Sequence, residues 1–156
     1  MEAGSHTHPP SPEAAKTTPE PSSRKAVLLV DDEIAYLDLL EQLLSEHIAC
    51  PVIGFTRPFE ALRALPSLDV GLIVTDYYMP GLNGCEFIVE VGKVAPHIPV
   101  IMITAHDVHF TESELALVPA LKVIVQKPFR WTYLSEQILK YWPEPLKPRV
   151  SQSSPP

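Results

Sequence analysis

Polar side chains stand where the apolar runs of this 156-residue chain stop. Asp31 and Asp32 follow Ala26-Val27-Leu28-Leu29-Val30, and Asp76 follows Leu72-Ile73-Val74-Thr75. Thr104 closes Pro99-Val100-Ile101-Met102-Ile103, and Lys127 follows the run from Lys122 to Gln126. Carboxylates drawn together repel: two unit charges about 4 Å apart cost roughly 4 kcal/mol at an effective dielectric near 20. A divalent cation removes that penalty, and Mg²⁺ favours carboxylate, water and phosphate oxygens. Such a metal neutralises charge on a transferring phosphoryl group and aligns it with an attacking oxygen. Lys127 adds a second positive charge, and the Thr104 hydroxyl can bond a phosphoryl oxygen. Aspartyl phosphates are known products of carboxylate nucleophiles. Alone, each residue has a plainer role as helix cap, locally satisfied hydroxyl or solvated charge. Together they read as a phosphoacceptor with Asp76 as the nucleophile.

Such a set converges only if the elements bring distant strand ends to one edge. Short bounded apolar runs rich in β-branched residues read as buried strands: 26–30, 51–55, 70–75, 99–104 and 122–126. Between them lie helical patterns. Ile34, Leu37, Leu40, Leu44 and Ile48 recur at steps of three and four, and Thr56 is the expected cap of a helix with Pro58 near its start. Phe87, Ile88, Val91 and Val94 mark the third helix. Thr111-Glu112-Ser113-Glu114 matches a capping box, so a short helix starts there and stops near Pro119. Trp131, Leu134, Ile138 and Tyr141 or Trp142 form the last stripe. Alternating strands and helices imply a parallel α/β sheet covered on both faces. Parallel strands place all their C-terminal ends at one rim, where ligands bind in open sheets. The Pro80-Gly81 pair predicts a turn just beyond Asp76.

Composition bounds the rest. With 46% hydrophobic and 20% charged residues, the chain suits one domain with a real core and some extra length. A formal net charge of -7 argues against a nucleic-acid surface. No apolar run approaches the roughly 18 residues of a bilayer span. Cys50 and Cys85 form no CxxC pair and read as reduced thiols in a cytoplasmic protein. Residues 1–24 and 143–156 are rich in Pro and Ser and are expected to be disordered tails around a domain at 25–142. His6 and His8, in the first tail, are expected to be inert.

The stretch from Lys25 to Trp142 resembles a two-component response-regulator receiver domain. The resemblance rests on Asp31-Asp32, on Asp76-Tyr77-Tyr78-Met79-Pro80-Gly81-Leu82-Asn83-Gly84, on Thr104-Ala105 and on Lys127-Pro128-Phe129. It implies a flavodoxin-like, doubly wound five-stranded sheet of order 2-1-3-4-5. It implies Mg²⁺ held by Asp31 (through water), Asp32, Asp76 and the backbone carbonyl of Tyr78. A phosphohistidine on a sensor histidine kinase or histidine phosphotransfer protein would supply the phosphoryl group. Thr104 would then move toward it, and the face of the fourth helix, fifth strand and fifth helix would change shape; signalling would be by binding a downstream protein. No independent enzymatic turnover is implied.

The chain also departs from that family. Ile124 stands where an aromatic switch residue is common, and Pro119-Ala120 where Gly-Ala is common, which would stiffen or shorten the fourth helix. Tyr78 and His106 occupy positions that flank the phosphoryl group in receivers, and their bulk would obstruct an attacking water. The leading expectation is a stand-alone receiver, because the 14 residues after Trp142 are too few for a DNA-reading head. Alternatives are the receiver part of a longer regulator and a phosphate-independent docking module. A Mg²⁺-dependent phosphatase of the haloacid-dehalogenase type is a further rival, but it would carry Asp where this chain has Tyr78.

Overall fold

The computed structural model describes residues 25–145. The tail expected at 1–24, with His6 and His8, and residues 146–156 of the tail expected at 143–156 lie outside the described residues. The strands are β1 (Ala26–Val30), β2 (Val52–Phe55), β3 (Val70–Asp76), β4 (Val100–Thr104) and β5 (Leu121–Gln126). The helices are α1 (Ile34–His47), α2 (Pro58–Ala64), α3 (Gly84–Val94), α4 (Glu112–Ala116) and α5 (Trp131–Tyr141), with a 3₁₀ turn at Leu65–Ser67 after α2.

All strand pairs are parallel, in the order β2-β1-β3-β4-β5. Side chains alternate across a strand, and both faces here are apolar. Val27, Leu29, Leu72, Val74, Ile101 and Ile103 point to one face, where they pack against Leu37, Leu40 and Leu44 of α1 and Leu134 and Ile138 of α5. Leu28, Val30, Ile73 and Met102 point to the other, against Ala61 of α2 and Phe87, Ile88 and Val91 of α3. Right-handed crossovers explain the division. The step from β1 to β2 runs one way along the sheet and the steps from β2 to β5 run the other, so their helices fall on opposite faces. The reversal lies between β1 and β3. Fully burying a residue such as Leu44 or Leu134 contributes roughly 1.5–3 kcal/mol.

The local chemistry of the chain accounts for most element ends. Thr111 and Glu114 form the expected reciprocal capping box, and α4 ends before Pro119 after only five residues, none of them buried. Asn83 and Glu86 form a second box at the start of α3. Gly81 has φ 84, the left-handed conformation that glycine adopts without a Cβ penalty. Three details differ from the sequence expectations. The residue preceding α2 as its N-cap is Arg57 rather than Thr56, with Pro58 in the first turn. Ile34 and Val94 are 63% and 57% exposed rather than core. Each is the terminal residue of its helix.

Two glycines of α3 give opposite tests. A Cβ on Gly84 would stand 2.8 Å from the Asp76 carbonyl oxygen and 3.0 Å from the Tyr77 Cα, both backbone atoms. A Cβ on Gly92 would meet nothing within 4 Å. Gly84→Ala is expected to cost about 1–3 kcal/mol by overpacking. Gly92→Ala is expected to stabilise by about 0.5–1 kcal/mol through helix propensity. Urea unfolding of the two variants checks both signs; a neutral Gly84→Ala would contradict the close approach of α3 to the end of β3.

Candidate functional site

The register of the sheet carries the polar residues to one rim. Val30 pairs with Thr75, so Asp31 falls level with Asp76 at the reversal point. Asp76 pairs with Ile103, and Thr104 pairs with Gln126, so Thr104 and Lys127 leave the sheet at the same edge. Backbone bonds continue the ladder past the strands: Tyr77 N–H donates to the Ile103 carbonyl at 2.8 Å, and Lys127 N–H to the Thr104 carbonyl at 2.7 Å.

Asp31, Asp32 and Asp76 each offer an oxygen within 4.8 Å of the others, the one such cluster found among the described residues. Asp31 and Asp76 are buried and Asp32 is exposed. The Lys127 ammonium reaches both buried partners, at 3.5 Å from Asp31 Oδ2 and 3.7 Å from Asp76 Oδ1. The other Asp31 oxygen accepts the Glu33 N–H at 2.9 Å and so orients the entry to α1. An all-carboxylate donor set around a lysine suits a hard divalent cation such as Mg²⁺ and not a soft thiophilic metal. Burial pushes the Asp76 carboxyl up to about 6. Lys127 opposes that rise, whereas Asp31 and Asp32 add to it. Burial likewise raises Asp31, against the Glu33 N–H and Lys127.

The Thr104 hydroxyl is buried and closes a loop on itself. It donates to the His106 carbonyl at 3.0 Å and accepts the His106 N–H at 3.2 Å. The His106 and Tyr78 rings meet edge-on with centroids 5.1 Å apart, so the two flanking residues touch each other across the loops after β3 and β4. Ile124 is partly buried, pairs with Met102 and packs on the α2–α3 side of the core as an ordinary strand residue.

Several neighbours were not legible beforehand. The Lys127 ammonium lies 4.2 Å from the centre of the Tyr36 ring, a cation–π contact that holds the lysine from the α1 side. Nothing in the sequence couples Tyr36 to Lys127, because the contact is made by folding. Tyr77 stacks edge-on against Tyr78 and Phe110, with centroids 4.7 and 6.1 Å away. The Asn83 box could have been found, since Asn-x-x-Glu is as good a signal as Thr-x-x-Glu.

The raised Asp76 carboxyl has a stability consequence. Between about pH 4 and 6 the native chain keeps a proton that the unfolded chain has released, so stability falls as pH rises through that window. A shift of this size, from 3.8 to about 6, corresponds to about 3 kcal/mol; solvent screening at the open rim reduces this to roughly 1–2 kcal/mol. Metal-free Asp76→Asn is therefore expected to be more stable than wild type at pH 7.5 by that amount and to lose the slope due to Asp76. Urea unfolding in EDTA at pH 4.5 and 7.5 measures it, and a variant less stable than wild type at pH 7.5 would contradict the strained cluster.

Comparison with known proteins adds the family. The phosphoglycerate transport system transcriptional regulatory protein PgtA of Salmonella typhimurium is 33% identical over 81 residues, 52% of this chain and 19% of that protein. Nodulation protein W of Bradyrhizobium diazoefficiens is 28% identical over 134 residues, 85% of this chain and 58% of that protein. The chain thus spans less than two thirds of the length of either relative. Among solved structures, the response regulator TrrA of Thermotoga maritima, in complex with Mg(2+)-BeF, superposes with a TM-score of 0.66 at 28% identity, covering 75% of this chain and 98% of that one. The family model of the response regulator receiver domain matches residues 27–139, well over half of the chain. With its 2-1-3-4-5 sheet and the acidic cluster at the rim, the chain belongs to the response regulator receiver family.

Proposed function

We propose that this chain accepts a phosphoryl group on Asp76 from a phosphohistidine and signals by phosphorylation-dependent binding to another protein. The observation that carries the reading is the meeting of Asp31, Asp32 and Asp76 with the Lys127 ammonium at the rim where β1 and β3 end. Asp32 and Asp76, with Asp31 through water and the Tyr78 carbonyl, would hold Mg²⁺. When bound, the ion supplies positive charge against the phosphoryl oxygens.

The chain's own residues do the rest. At neutral pH Asp76 is mainly a carboxylate, because its pKa is only about 6. One of its oxygens forms the O–P bond as the N–P bond of the donor breaks and that electron pair returns to the imidazole. Lys127, already within 3.7 Å of Asp76, stays beside the new acyl phosphate as its counter-charge. Thr104 trades its bonds to His106 for a phosphoryl oxygen, and this frees the loop after β4. Tyr78 and His106, in edge contact above that loop, exclude the water that would hydrolyse the product. The donor is a sensor histidine kinase or histidine phosphotransfer protein, met in the cytoplasm. The domain extends over 25–142, alone or as the receiver part of a longer regulator such as the relatives above. Ile124 favours a second reading, a phosphate-independent docking module, because it removes the aromatic switch expected at that position.

Intact mass after incubation with Mg²⁺ and acetyl phosphate separates the two readings. Wild type is expected to gain one phosphoryl group and Asp76→Ala none; no gain on wild type would leave the docking module. Tyr78→Asn and His106→Ala are each expected to speed loss of the phosphoryl group up to about tenfold, or roughly 1.4 kcal/mol of barrier. Unchanged decay rates would remove the water-exclusion role.

A further inference from the structure

A groove of about 430 Å³ opens between α3 and the segment that carries α4, away from the acidic cluster. Its size falls in the range of about 300–1,000 Å³ typical of ligand sites. Val89 and Val118 give it apolar lining, and Leu117, 67% exposed, stands at its edge. The short α4 buries none of its own residues, and Leu115 on it is also exposed. An exposed apolar patch framed by charge is the signature of an interaction surface.

The charge of that frame has one sign on both walls. Glu86 and Glu90 lie one turn apart on α3, and Glu114 faces them from α4. Glu90 is paired with Lys93 at 2.6 Å, but among the described residues Glu86 and Glu114 bond only backbone N–H and hydroxyl groups of their caps, with no cationic partner. Their field reaches the interior: besides burial, Glu114 and Glu86 push up the Cys85 thiol inside the groove. Tyr77, which follows Asp76 directly, also lines it and packs against Phe110, another lining residue.

We propose that the α3–α4 groove is the docking surface for the downstream protein, and that it takes a basic amphipathic helix. Apolar side chains at i, i+3, i+4 and i+7 enter such grooves, while lysines or arginines on the flanks meet Glu86 and Glu114. That the helix belongs to a downstream target rests on the phosphoacceptor reading; its docking in the groove does not.

The test uses the full chain and three fluorescein-labelled helical peptides: a basic amphipathic one of Leu and Lys, its counterpart with Glu for every Lys, and a Lys peptide with the leucines scattered. Fluorescence anisotropy is expected to give the first at least about tenfold tighter binding than either control, about 1.4 kcal/mol. It should also shield Cys85 from N-ethylmaleimide, read by mass. Leu117→Asp, at an exposed position, and Glu90→Lys, at a half-buried one, should each weaken binding severalfold. Equal binding of a control peptide, an unshielded Cys85, or undiminished binding to both variants would overturn the proposal. Intact mass of the same samples with Mg²⁺ and acetyl phosphate reports the phosphoacceptor separately. Peptide binding without phosphoryl gain sinks that reading alone, and phosphoryl gain without peptide binding sinks the groove alone.

Discussion

Mutual repulsion among three carboxylates, two of them buried, is the constraint around which this structure is arranged. Burial and proximity both disfavour the charged form, and the Asp76 carboxyl rises to about 6 as a result. One ammonium, Lys127, answers two of the three charges. That ammonium is itself steadied by the Tyr36 ring and by the backbone bond that ties the end of β5 to Thr104. An acidic rim of this kind suits a ligand that brings positive charge.

The sheet is what makes the concentration of charge tolerable. Parallel register levels Asp31 with Asp76, and the reversal between β1 and β3 leaves a crevice where no crossover helix covers the strand ends. Apolar side chains on both faces of every central strand hold that register, since a slip of one residue would exchange the two faces. Gly84 lets α3 begin against the Asp76 carbonyl, so the strand that ends in Asp76 is braced by packing and not by polar bonds alone.

Much of this was legible because the relevant signals are local. Asp31, Asp32, Asp76, Thr104 and Lys127 each end a strand-like run, and parallel topology alone then places them together. The fold class followed from the alternation of elements, and its strand order from the family resemblance. Ile34 and Val94 are exposed at the ends of their helices, which helical periodicity does not foretell. Thr56 misled because Pro58 made Arg57 the residue before the first turn. The Tyr36–Lys127 contact and the chain of rings from His106 through Tyr78 and Tyr77 to Phe110 were not legible, since each joins residues from different elements. That chain of rings connects the loops after β3 and β4, and its last members line the α3–α4 groove. The rings run from beside Asp76 to the groove without passing through Ile124.

The central claim is that the rim is a built cation site. Isothermal titration of Mg²⁺ into the chain at pH 7.5, with Asp32→Asn as the comparison, tests it most directly. The account predicts saturable binding of one ion per chain in wild type, lost or much weakened in Asp32→Asn, whose side chain is exposed and bears little on the core. Absence of a saturable heat in wild type, or equal binding by the variant, would contradict it.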